Sequence, residues 1–505
     1  MQLAKETLEK IQPKERLEIP AQKLFELPEK VLQFGTGVLL RALPDYFIDK
    51  ANKQGIFNGR IVVVKSTDSD SSAFDKQDGL YTVCIRGVEN GKMVEKNSIN
   101  ASISRVLSAK TDWQRILECA HNAEMKIIIS NTTEVGIQLV QDDINSESPV
   151  SFPGKLLAFL HERFKAFNGS AASGMVIVPT ELITDNGSKL ESIVLELAHR
   201  NNLDLKFIEW LENHNTFCNS LVDRIVPGKP NPAETKKIEA SLGYEDELLT
   251  MSEVFCLWAI EGDEKVKEML SFYKADEGVI IAPDITLFKE LKLRLLNGTH
   301  TFNCGTAFLS GFNITREAIT NPVYNLFTKE LMLNEIAPAI PFTIDEKIKT
   351  DFANNTFERF CNPFIDHQWQ SITVQYTSKM KMRNIPLLHQ HYTLNQSVPW
   401  HMATGFAAFL LYMKVTRKEA NKYFGKRKNE EYGIKDDAAS YFYTIWNNEN
   451  PAEVARAVMS NEALWEIDLT TYPGLLQAVQ EQLQNMISNG VLATIEKLEL
   501  KKVAV

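Results

Sequence analysis

Val31-Leu32-Gln33-Phe34-Gly35-Thr36-Gly37-Val38-Leu39-Leu40-Arg41 is the stretch that decides the fold. A short apolar run meets a glycine turn, and from Val38 to Lys50 apolar residues recur at helical spacing, so the segment reads as strand, turn and helix. In that setting Gly35-x-Gly37 lets the backbone come close to a pyrophosphate, with the unpaired N–H groups of the helix N-terminus facing it. Gln33, Phe34, Gly35, Thr36, Gly37, Val38, Leu39, Leu40 and Arg41 therefore form the candidate dinucleotide-binding segment, with Arg41 adding a cation near the phosphates. Leu40 stands where the fingerprint has its third glycine, and a plain strand-to-helix turn fits the same residues.

Working outward, Ile61 to Val64, Ile127 to Ile129 and Met175 to Val178 are further short β-branched runs separated by helical segments. Continuous apolar strands of this kind predict a mostly parallel sheet covered on both faces. The second run should end in an acid that accepts from a ribose 2′-OH; here Lys65 stands at that point with Asp68 three residues on. Asp68 is the displaced ribose candidate, and Lys65 keeps a 2′-phosphate conceivable. Asn131 and Thr132, at the end of the third run, are the other candidate cofactor contacts. From Leu287 onward long amphipathic patterns take over, which puts a boundary near residue 284. The fold expected is an α/β Rossmann-type N-terminal domain, 1–284, with a mainly α-helical C-terminal domain, 285–505.

Composition narrows the function. With 44% apolar and 24% charged residues the chain has ample material for large cores, and a net charge of -10 argues against nucleic acid or an anionic membrane as partner. An acidic substrate would need a local cationic pocket. The six cysteines show no Cys-x2-Cys pair and read as reduced core residues. The first ten residues lack a signal-type apolar stretch and the most apolar helix, about His401 to Val415, is too short to span a bilayer, so the expected location is the cytoplasm. Asp142 to Pro153 and Lys426 to Asp437 read as solvated loops, and His389 and His391 lack nearby metal-binding partners in sequence.

Lys292-Leu293-Arg294-Leu295-Leu296-Asn297-Gly298-Thr299-His300 carries the candidate chemistry. At about 100° per residue Asn297 lies about 140° and His300 about 80° round from Lys292, on one half of a helix. An amine, an amide and an imidazole so placed suit carbonyl–alcohol interconversion, although a polar surface face has the same spacing.

Together with Gln77-Asp78-Gly79-Leu80-Tyr81-Thr82, Ser130-Asn131-Thr132-Thr133-Glu134, Asn219 to Pro227 and Arg359-Phe360-Cys361-Asn362-Pro363, these motifs resemble the long-chain mannitol dehydrogenase family over nearly the whole chain. The resemblance implies a site in the cleft between the two domains, with Lys292 as general acid/base beside Asn297 and His300. It also implies NAD as cofactor, no metal, and Asp223 as a substrate contact. Departures refine it. Polyol-oxidising members carry Cys-Asp-Asn where this chain has Thr180-Glu181-Leu182, and an Asp and an Arg where it has His367 and Ser371. Those losses fit the uronate-reducing subgroup, with D-tagaturonate and D-altronate as the expected small-molecule pair. A hexuronate carboxylate needs cations, for which Lys379 and Arg383 are the candidates, although a solvated basic run fits Lys379, Lys381 and Arg383 too. Fructuronate reduction, polyol oxidation and a non-catalytic dinucleotide sensor are the alternatives, and the sequence leaves the oligomeric state open.

Overall fold

The computed structural model describes residues 1–66, 70–132 and 136–503, with side chains to residue 500. The chain divides into two compact units, one made of Met1–Gly87 with Lys92–Ile285 and the other of Val88–Gly91 with Thr286–Val505.

The first unit is built on six strands: β1 (Glu29–Phe34), β2 (Arg60–Lys65), β3 (Ile103–Ser108), β4 (Ile127–Ser130), β5 (Val176–Pro179) and β6 (Thr216–Phe217). Their order across the sheet is β3-β2-β1-β4-β5-β6 and every pairing is parallel. This is the doubly wound dinucleotide-binding order, with its reversal between β1 and β4. The uninterrupted apolar runs follow from double coverage. Val31, Ile61, Val63, Ile127, Ile129, Val176 and Val178 enter one core, while Leu32, Phe34, Val62, Val64, Ile128 and Ile177 enter the other. Each such side chain contributes roughly 1.5–3 kcal/mol by burial.

The helix expected from Val38 to Lys50 is two helices, α1 (Val38–Ala42) and α2 (Pro44–Lys53), broken at Leu43 with φ -130°. Pro44 has no N–H and its ring disfavours helical geometry at the residue before it, so the break is written in the sequence. Beside this sheet lie two smaller ones, strand Tyr81–Glu89 between Lys92–Asn100 and Thr250–Glu253 in one, and Ser220–Asp223, Leu257–Glu261 and Val279–Ala282 in the other.

The second unit is mostly helical, but the expected solvated loop Lys426 to Asp437 is ordered. Lys422–Arg427 and Glu430–Ile434 pair antiparallel, and Arg427 lies 4.3 Å over Phe308 while donating to its carbonyl. The other expected loop is also tied down. Asp142 is buried, and its carboxylate accepts from the Val150 and Ser151 amides at 2.9 and 2.7 Å, closing the segment ahead of helix Phe152–Ala166. The Asp142 segment is a loop up to Ser151, as expected, and both segments expose many of their polar residues; what charge and Ser/Asp content did not show is the strand pairing of Lys426 to Asp437 and the capping that ties the Asp142 segment. Among the described residues no helix is long and apolar enough to cross a membrane, and all six cysteines are free thiols, four of them buried.

Candidate functional site

The glycine turn sits at the sheet's reversal point. Gly35 N donates to Val64 O at 3.0 Å and Asn131 N to Phe34 O at 3.1 Å, so the turn is clasped by the ends of β2 and β4. Gly35 has φ +122°, and a Cβ there would stand 2.8 Å from Asn131 O and 2.9 Å from Leu40 Cδ1. Only glycine fits. Leu40, in place of a third glycine, is fully buried and closes over Gly35. At Gly37 a Cβ would meet nothing within 4 Å. The turn is therefore rigid on its protein side and open on the other, which suits the close approach of a phosphate ester.

Arg41 does not serve that open side. It is buried, and its guanidinium donates to Leu248 O and lies 5.9 and 5.5 Å from the Phe74 and Tyr81 rings. Its stem is apolar and the rings offer a cation–π surface, so the side chain turns inward, correcting its assignment as a phosphate cation. Beside it Asp45 is wholly buried, accepts from Gln33 Nε2 and Tyr81 Oη, and has its carboxyl pushed up to about 7 by burial.

Asn131 and Thr132 are held by the segment that sequence comparison marked as a departure. The Asn131 amide donates to Thr180 O and Oγ1, both at 3.0 Å. Glu181 is buried, and its carboxylate accepts from Thr132 N at 2.9 Å, Thr132 Oγ1 at 3.1 Å and Ser130 Oγ at 3.1 Å. Burial pushes its carboxyl up against those lowering hydrogen bonds. Thr132 thus spends its donors on Glu181, whose role the sequence did not reveal, and Leu182 beside it is 61% exposed. Asp68 lies outside the described residues, as do Thr133 and Glu134. Asp223 is buried on strand Ser220–Asp223, next to Arg224, which donates to Ala42 O and Glu253 O.

In the second unit, Lys292, Asn297 and His300 lie on one continuous helix from Thr286 to Ser310, but not on a uniform one. Lys292–Gly298 is π-helical and Thr299–Ser310 is α-helical. A π-turn bonds i to i+5, which brings residues five apart close to one line, so Lys292 and Asn297 stand nearer each other than α geometry gives. Both are partly exposed while His300 is buried. The His300 ring meets Phe360 at 4.3 Å, His367 at 5.2 Å and Trp369 at 5.8 Å between centroids. Burial, then His367, Arg359 and Arg383, hold its pKa well below the ordinary histidine value. The imidazole is neutral, and its Nδ1 has no hydrogen-bond partner among the described residues.

Arg383, on a second π-turn (Met380–Asn384), donates to Thr301 Oγ1 at 3.2 Å, and its buried Nε has no partner among the described residues. Lys379 donates to Ile372 O at 2.8 Å and is lowered by burial and then by Arg383. His367, likewise lowered by burial, then Arg359 and Lys379, completes the group, whereas Ser371 is exposed. Arg359, which opens the motif Arg359-Phe360-Cys361-Asn362-Pro363, carries no site role in the sequence, and His367 enters there only as a departure from polyol-oxidising members. The segment dismissed as a loop supports this region: Asp436 accepts from Thr377 N at 2.7 Å, fixing the start of the helix bearing Lys379. His389 and His391 are occupied by Tyr472 Oη and Ser397 O, each at 2.8 Å.

Residues 29–273 match the mannitol dehydrogenase Rossmann domain and residues 284–487 the mannitol dehydrogenase C-terminal domain. The altronate oxidoreductase of Halalkalibacterium halodurans is 35% identical over 484 residues, 94% of each chain. That of Pectobacterium carotovorum is 37% identical over 484 residues, 93% of this chain and 96% of the other. In fold the chain is similar to a Pseudomonas fluorescens mannitol 2-dehydrogenase in complex with NAD and D-mannitol (TM-score 0.69, 22% identity, 99% of this chain and 100% of that one). It is also similar to a D-sorbitol dehydrogenase (TM-score 0.79, 22% identity, 98% and 100%). With both domain types matched in order and relatives aligned end to end, the chain belongs to the mannitol dehydrogenase family and is an oxidoreductase acting on CH–OH groups.

Proposed function

We propose that the protein interconverts D-tagaturonate and D-altronate with NAD as the redox partner. The observation that carries the reading is the pair of half-buried cations Lys379 and Arg383 on one helix, the second of which donates to Thr301 Oγ1 beside His300. In a chain of net charge -10 such a local pair of positive charges suits an anionic ligand, and a sugar acid supplies one that a polyol lacks. The relatives' name, altronate oxidoreductase, points to the same alcohol.

The rigid turn at Gly35 and Gly37, with Asn131 and Thr132 braced by Thr180 and Glu181, is where the dinucleotide would be held. When bound, the nicotinamide supplies or accepts the hydride. The chain's own residues do the rest. Lys379 and Arg383 hold the carboxylate. The amide of Asn297 hydrogen-bonds the substrate oxygen, on which negative charge grows during reduction, and Lys292 gives that oxygen its proton. In the oxidative direction Lys292 takes the proton from the hydroxyl. Neutral His300, buried among Phe360, His367 and Trp369, orients the substrate through hydrogen bonds without adding charge. Asp223 contributes a further substrate contact.

A panel of tagaturonate, fructuronate and fructose, each with NADH and with NADPH, tests the reading. The highest kcat/KM is expected for tagaturonate with NADH. A preference for fructose, or NADH binding without turnover of any keto acid, would overturn it.

A further inference from the structure

Two of the three π-turns among the described residues of the second unit, Lys292–Gly298 and Met380–Asn384, are tied to each other from both sides. From the first, Arg294, 7% exposed, donates through Nη1 to the carbonyls of Met382 and Arg383, both at 2.8 Å, while its Nε holds Glu290 at 2.9 Å. From the second, Asn384 Nδ2 donates to Gly298 O at 3.3 Å. Arg383 Nη1 reaches Thr301 Oγ1, whose hydroxyl donates to Asn297 O at 2.7 Å. A π-turn shifts the helical bonding register and leaves carbonyls near its borders without their regular amide donors, and here side chains of the opposite turn satisfy them. Gly298 keeps the approach open: a Cβ would stand 3.3 Å from Asn384 Oδ1 and 3.4 Å from Leu387 Cδ1.

We propose that Arg294 is a positioning residue that fixes the span between the proton-transfer end of the site, Lys292 and Asn297, and its carboxylate-holding end, Lys379 and Arg383, and thereby selects substrates carrying both groups. This rests on the function proposed above. A keto acid held by its carboxylate presents its ketone to Lys292 only when that span is right, and an error of about 1 Å costs on the order of a hundredfold in rate. A neutral ketose engages one end alone and has no span to satisfy.

The test uses Arg294→Met, Arg294→Lys and, acting from the other side, Asn384→Ala, in the full-length enzyme. NADH titration counts binding-competent sites, and steady-state kinetics per site are measured with tagaturonate and with fructose. Arg294→Met is expected to lower kcat for tagaturonate about a hundredfold with KM changed less than about threefold, and to leave kcat/KM for fructose within about threefold. Arg294→Lys should recover part of the loss, and Asn384→Ala should shift kcat in the same direction. Unchanged kcat per site in Arg294→Met, or a loss confined to KM, or equal losses on both substrates, overturns the positioning role. Failure of the wild-type enzyme to reduce any keto-hexuronate would instead overturn the function on which it rests.

Discussion

Asp45 offers the most quantitative test of the electrostatics beneath the glycine turn. Its side chain is fully buried on α2; Oδ2 accepts from Gln33 and Tyr81 at 3.4 and 3.3 Å, and Oδ1 has no partner among the described residues. Burial is the largest influence, and against the lowering effect of Gln33, Tyr81 and Arg41 it moves the carboxyl from 3.8 to about 7. A carboxyl whose pKa is raised on folding contributes stability that is complete below its unfolded value and is lost as pH rises through the folded one. A rise from 3.8 to about 7, at about 1.4 kcal/mol per unit, makes that loss about 4 kcal/mol between pH 4 and pH 8. Asp45→Asn keeps the shape and an acceptor for Gln33 and Tyr81 but cannot ionise. The variant should match the wild type near pH 4 and exceed it by about 4 kcal/mol at pH 8. Hydrogen exchange read by mass spectrometry over residues 29–53, at one-unit pH steps, measures this where it acts. Parallel pH curves for the two proteins would refute a buried titrating carboxyl at this position.

Lys292→Ala should lower turnover by several powers of ten while NADH binding, read by fluorescence titration, stays within about threefold; retained turnover would remove it from proton transfer. Gly35→Ala forces a methyl against Asn131 O at a backbone angle that side chains avoid, so NADH affinity should collapse and stability fall by about 2–4 kcal/mol in denaturant titration. Lys379→Met with Arg383→Met should raise KM for tagaturonate at least tenfold and leave that for a neutral ketose nearly unchanged; equal effects would mean these cations do not hold the carboxylate. His300, depressed on folding, favours the folded state only above its unfolded pKa. Stability should therefore fall as pH drops below about 6.5, and His300→Gln should lessen that fall in acid-unfolding curves.

The central sheet was legible because each of its main strands is buried on both faces and therefore carries an unbroken β-branched run, as at Val62 and Ile128. Strands β3 and β6 were not, since Ser104 and Arg105 interrupt one and the other spans only Thr216–Phe217. The hairpin at Lys422–Ile434 hid behind its charges, because two thin strands with one packed face look like a solvated loop until Tyr432 and Arg427 find their partners. In the candidate site, Lys292, Asn297 and His300 could be picked out by residue type and order, since an amine, an amide and an imidazole are the groups that proton transfer and oxygen binding would use. What spacing could not supply was the π-turn under Lys292 and Asn297, whose links run to residues distant in sequence: Asn384 donates to Gly298 O, and Arg294 donates to Met382 O and Arg383 O.

By itself, then, the sequence determined the doubly wound sheet and the glycine turn at its reversal and offered the candidate reacting groups, because these depend on periodicity and on chemistry that one residue carries alone. Tertiary structure decided which way those groups face and how they are charged. Arg41 turned inward to Tyr81, Glu181 became the brace for Thr132, and burial beside Arg359 and Arg383 made His300 neutral. Desolvation and through-space charge arise only when residues far apart in the chain are packed together, and no local pattern records them.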